Sequence, residues 1–207
     1  MPKYRFMMDF ISSFLDGMAN TGTIEYVAVA AGLLSVYFIL KQNILGYPAG
    51  LLNVGLYVYL CFQAGLFANM GINIFFFVIS IYGWYNWARK GNQQEVLKVT
   101  KLNSRQRLLA LAAVLLFFFL LREILVRFPG SSSPVFDALT TAIFIVAMWL
   151  QAKKKLESWL FWIAGDVMAV PLYALTGLAF TGLQYFAFLF LAISGYFAWK
   201  KSLSAND

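Results

Sequence analysis

Seven runs of apolar residues divide this chain, at roughly 24–41, 44–64, 67–88, 107–126, 135–152, 157–176 and 179–199. A helix needs about 20 such residues to cross the hydrocarbon core of a bilayer. In that medium the backbone N–H and C=O groups must be bonded within the segment itself. The runs therefore predict an all-α, polytopic membrane protein with seven transmembrane helices. Composition agrees, with 61% hydrophobic and 12% charged residues, where soluble domains carry about 45–50% and about 25%. Gly65 and Gly177 mark the very short second and sixth connections.

The fourth run is the weakest: LLALAAVLLFFFLL is only fourteen residues long before Arg122 and Glu123. Those long side chains can reach the interface from near a helix end. Basic residues decide the count. With seven spans, twelve of the sixteen Lys and Arg fall on one side, and only Lys3, Arg5, Arg122 and Arg127 on the other. The positive-inside rule then puts the N-terminus outside and the C-terminus in the cytoplasm. Removing span four would scatter that bias. The net charge of +7 is thus a topology signal, and no nucleic-acid partner is expected. The absence of histidine and the single Cys61 exclude histidine-based metal sites, catalytic dyads and an intrachain disulfide. At the N-terminus, Asp9 and Asp16 break up the apolar core that a cleaved signal peptide requires. Phe6, Phe10, Phe14 and Met18 recur every four residues, predicting an amphipathic helix along the membrane surface.

Sliding the chain on itself by 112 residues lays the first three spans on the last three without a gap. Glu25 falls on Asp137, Tyr37 on Trp149, Lys41 on Lys153, Tyr47 on Trp159, Gly65 on Gly177, Gly83 on Gly195 and Trp87 on Trp199. Two triplets share an orientation only if the chain crosses once more between them, so span four becomes a linker. The predicted architecture is 3+1+3, two parallel triple-helix repeats of the SWEET-like kind. Its parts are an amphipathic segment 1–22, a first repeat 23–90, a basic cytoplasmic loop and linking helix 91–133, a second repeat 134–201 and a cytoplasmic tail 202–207.

Within the stretch WLFWIAGDVMAVPLY, Asp166 lies about mid-depth, where an ionisable residue marks a functional site by default. Trp159, Trp162 and Tyr173 stand at i−7, i−4 and i+7 from it, on one helical face. A carboxylate among π faces suits an organic cation, each ring adding about 0.5–2 kcal/mol when desolvated. The competing readings are a protonated carboxyl or a packing pair. Asn73, Thr181, Gln184 and Tyr185 open the third and seventh spans as further candidates. Ser80, Thr140 and Thr141 suit backbone bonding instead. Trp84, Trp87 and Trp199 read as interface-belt residues, and Pro48 and Pro171 as interruptions of the second and sixth helices.

The segments KQNILGYPAGLLNVGLY, SIYGWYNW, DALTTAIFIVAMWLQAKKKLESWLFWI and GLAFTGLQYFAFLFLAISGYFAW resemble the PnuC family of bacterial vitamin-precursor transporters over nearly the whole chain. The resemblance implies a seven-helix carrier, often a homotrimer, that lets nicotinamide riboside diffuse inward to be trapped by cytoplasmic phosphorylation, with no cofactor. It places the pocket on Asn73, Trp162, Asp166, Thr181, Gln184 and Tyr185. Similar subgroups carry thiamine or riboflavin. Some nicotinamide riboside members have asparagine at the position of Asp166 and glutamine at that of Asn73, which leaves the vitamin open. The expectation is a multi-pass transporter of the bacterial inner membrane for a small cationic vitamin precursor, nicotinamide riboside first and thiamine second. An enzyme is not expected, since no nucleophile or metal set is present. A non-transport membrane protein is the remaining alternative.

Overall fold

The computed structural model describes residues 8, 11–12, 15, 19, 22–89, 97–127, 134–175 and 179–204, with side chains omitted over 172–180. Its long helices are α1 (Thr23–Leu40), α2 (Gly46–Gln63), α3 (Phe67–Ala88), α4 (Ser104–Arg127), α5 (Pro134–Ala152), α6 (Ser158–Leu175) and α7 (Ala179–Ser204). Each coincides with one apolar run. Five of them, α1, α3, α4, α5 and α7, are long and apolar enough to cross a membrane. The doubtful fourth run is a helix of 24 residues. Arg122 and Glu123 complete its last turns, exposed and paired with each other at 2.8 Å.

Turn chemistry explains where the helices stop. Gly65 adopts φ +69° between α2 and α3, a conformation that costs glycine nothing and other residues about 1–2 kcal/mol. The α1–α2 and α5–α6 turns share one form. Gln42 and Lys154, 112 residues apart, both adopt left-handed backbone, φ 55° and 50°. Their N–H groups donate to Ile39 O and Gln151 O, each at 2.9 Å. The next N–H groups, of Asn43 and Lys155, reach back to Phe38 O and Leu150 O at 2.8 and 3.0 Å. Carbonyls that a helix end leaves open are satisfied in this way.

Helix α1 packs on α2, α2 on α3, α3 on α5, α5 on α6, α6 on α7 and α7 back on α1, closing a ring of six. Helix α4 stands outside the ring against α5. There Ala110, Val114, Leu121 and Leu125 meet Ala138, Ala142, Ile145 and Val146. Small residues permit the closest approaches, as is usual between helices in lipid. A side chain at Gly83 would collide with the Tyr47 ring, and one at Gly195 with the Trp159 ring, 2.6 Å from its nearest atoms.

Two expectations are corrected. Pro48 does not interrupt α2: it sits in the first turn, where its missing N–H breaks no helical bond. Pro171 is inside α6 as expected. Trp87 and Trp199 do not face the interface either. They are 6% and 0% exposed, drawn inward because each indole finds a carbonyl on the next helix of the ring. Trp87 Nε1 donates to Gln151 O at 3.3 Å, and Trp199 Nε1 to Ile39 O at 3.2 Å. Trp84 is exposed. The amphipathic N-terminal reading falls largely outside the described residues; Met8, Ile11 and Leu15 are helical and exposed. Gly177 also lies outside them.

Candidate ligand cavity

The ring encloses a cavity of about 420 Å³, within the usual size for a small-molecule site. Its floor is lined by Tyr47 and Trp159, with Trp87 and Trp199 packed behind them. Tyr47 and Trp87 meet edge to face at 5.2 Å, Trp159 and Trp199 at 5.4 Å, and Trp87 and Trp199 join the pairs at 5.9 Å. Residues 97–103 run beneath this cluster along the α5–α6 turn. Thr100 N–H donates to Lys154 O at 3.1 Å, and Leu156 N–H to Thr100 O at 2.9 Å. The Lys154 ammonium, 3% exposed, donates to Leu97 O at 2.8 Å and lies 4.4 Å above the Trp87 ring. Burial lowers its pKa because desolvation disfavours the charged form.

Asp166 is 2% exposed and lines the cavity. Among the described residues it has no ion pair and no hydrogen bond. Among the described residues Glu25 and Asp137 also contribute to the lining, and no Lys or Arg does. The described lining is therefore acidic throughout, with uncharged amides, hydroxyls and rings between the carboxylates.

The other candidates take different places. Trp162 is half-buried on the wall, its indole donating to Gln151 Oε1 at 2.6 Å. Tyr185 stacks on Phe144 at 6.1 Å and 6°, and Gln184 shares a hydrogen bond with Tyr57. Thr181 lines the same space. Asn73 does too, while its Nδ2 donates to Asn69 O at 2.9 Å within its own helix. Trp159, at 1% exposure, belongs to the floor: its ring lies on Gly195, so it offers a ligand little surface. Tyr173 is among the residues whose side chains are not described. Thr140 donates to Phe136 O at 2.9 Å, bonding its own helix.

Phe144, Gln151, Tyr57 and Asn53 also line the cavity and escaped the sequence reading. Asn53 Nδ2 donates to Ala28 O at 2.7 Å, tying α2 to α1. Phe144 stacks on Trp162 at 5.2 Å and 28°. It stood in an unbroken apolar run with nothing to single it out. The 112-residue offset carried a signal all the same, since it pairs Gly32 with Phe144 and Asn53 with Gly165. Gly32 abuts Asn53 and Gly165 abuts Phe144, so large and small exchange sides.

Helices of membrane-crossing length stand around an acidic, aromatic cavity of small-molecule size. A family model described as nicotinamide mononucleotide transporter matches residues 22–201, and the chain belongs to that family of membrane transporters. It is 31% identical to the nicotinamide riboside transporter PnuC of Escherichia coli K12, over 86% of this chain and 85% of that one. With the Neisseria mucosa protein of the same name identity is 30%, covering 87% and 73%. The crystal structure of a vitamin B3 transporter PnuC superposes with a TM-score of 0.71 at 26% identity, spanning 98% of this chain and 91% of that chain.

Proposed function

We propose that this protein carries nicotinamide riboside across the bacterial inner membrane by facilitated diffusion, with phosphorylation in the cytoplasm preventing its return. The observation that carries the reading is Asp166, a buried acid on a ring-walled cavity whose described lining contains no basic residue. A pyridinium supplies the missing positive charge and a flat face for Trp162, and its sugar hydroxyls suit Asn73, Thr181 and Gln184. The names of the relatives support the same substrate.

The proposal extends to architecture. Residues 23–90 and 134–201 form two parallel three-helix repeats, with 91–133 as loop and linking helix. Matched left-handed turns at Gln42 and Lys154 support this. So do the matched Tyr47–Trp87 and Trp159–Trp199 pairs and the exchanged bonds from Trp87 to Gln151 and from Trp199 to Ile39. The N-terminus is outside, the C-terminus is cytoplasmic, and the assembly is a homotrimer.

Proteoliposome uptake of labelled nicotinamide riboside, thiamine and riboflavin tests the substrate. Nicotinamide riboside enters fastest and saturably. Asp166→Asn weakens its binding by about 1–2 kcal/mol, about tenfold in Kd, the scale of a charge-assisted contact. Equal affinity in the variant removes the counter-ion role, and preferential entry of thiamine reassigns the substrate.

A further inference from the structure

The flat wall that Trp162 offers is held in place by one amide. Trp162 Nε1 donates to Gln151 Oε1 at 2.6 Å, across eleven residues and from one helix to the next. An indole has a single N–H and no acceptor, so the Gln151 amide must turn its oxygen, not its NH₂, toward the ring. The bond fixes one edge of the indole, and Phe144, seven residues before Gln151 on α5, covers a face at 5.2 Å.

Gln151 is itself held from behind. Its backbone carbonyl accepts the Trp87 indole at 3.3 Å, and the carbonyl of the next residue, Ala152, accepts Asn86 Nδ2 at 2.8 Å. Both donors come from α3. The acceptor for Trp162 therefore stands on a helix end that a neighbouring helix pins, which is the support that a precise binding surface requires. The corresponding residue of the first triplet, Ile39, has no side-chain oxygen, so the arrangement belongs to the second triplet alone.

We infer that Gln151 is a positioning residue that sets the orientation of the Trp162 ring, and so determines how well the cavity discriminates a planar aromatic cation. The inference deepens the proposed transport function and rests on it for the ligand. Without the bond, Trp162 can rotate away, and the stacking face is lost while the charge at Asp166 remains.

Calorimetric titration of the full-length purified protein with nicotinamide riboside, combined with indole N–H resonances of the ligand-free protein, tests this. Gln151→Leu weakens binding about tenfold. In a Trp162→Phe background the Leu substitution has no further effect. The Trp162 indole resonance, assigned by its disappearance in Trp162→Phe, moves upfield in Gln151→Leu and stays downfield in Gln151→Glu, which keeps an oxygen facing the indole. If Gln151→Leu does not fold, Gln151→Asn, too short to reach the indole, replaces it with the same expectations. Undiminished affinity in Gln151→Leu, an equal loss in the Trp162→Phe background, or an unmoved resonance overturns the inference. Wild-type protein that fails to bind nicotinamide riboside overturns the transport proposal instead, and the ligand-free resonances still decide the role of Gln151.

Discussion

At the scale of single residues, the contents of the cavity depend on what stands beside Asp166. Gly165 lets the Phe144 ring lie against α6, and Phe144 in turn backs Trp162. Gly165→Ala forces a methyl group into that ring. Stability falls by about 1–3 kcal/mol, the usual cost of overpacking, and nicotinamide riboside binds more weakly because the aromatic wall shifts; thermal melting and titration measure the two effects. Trp162→Ala lowers affinity with the helices intact by circular dichroism. Asp166 was legible because charge in an apolar run is rare. Phe144 was not, since an aromatic residue among aliphatic ones carries no mark of which way it faces. Trp159 could be placed on the correct face of α6 by spacing alone, but spacing does not say that Gly195 on another helix would receive its ring.

At the scale of elements, the informative features are the ends. Helix limits were readable to within a residue or two for most spans because hydropathy changes sharply at the interface. Helix α7 continues to Ser204, five residues past the expected end, since lysines and serines prolong a helix that has left the apolar layer. The left-handed residues in the two matched turns were invisible, because neither Gln42 nor Lys154 is a residue type that announces such a backbone. Gln42→Gly therefore stabilises the protein by about 0.5–1 kcal/mol in chemical denaturation. Lys154 is the contrary case, because glycine there would also delete the contacts to Leu97 O and the Trp87 ring. Its folded pKa is depressed, so the unfolded chain binds the extra proton between that value and the ordinary one near 10.5. The contribution of this group to stability consequently rises with pH across that window and is least below it. A denaturation series into the alkaline range shows the rise, and Lys154→Met removes it.

At the scale of the whole molecule, two indoles tie the six-helix ring together at the aromatic end of the cavity, Trp87 of α3 to α5 and Trp199 of α7 to α1. Trp87→Phe with Trp199→Phe removes both indole donors and keeps most of the packing. The loss is about 0.6–1.7 kcal/mol per bond, the range for hydrogen bonds between membrane helices, and uptake in proteoliposomes becomes faster as the floor opens more readily. Membership in a seven-helix class was legible from run lengths and the placement of lysines. The closure was not: matching Trp87 to Trp199 identifies equivalent positions, but equivalence along a chain is silent about which partner each indole reaches for. Only the folded ring shows that Trp87 reaches α5 and Trp199 reaches α1.

A described lining with three carboxylates and no Lys or Arg has an electrical consequence. A solute with one positive charge, entering a cell whose interior is negative, moves down the voltage as well as down its concentration. One elementary charge gains about 2.3 kcal/mol per 100 mV. At equilibrium that sustains an accumulation of roughly fiftyfold without any co-transported ion. For the cation of the proposed function, the membrane voltage alone is thus enough to drive accumulation.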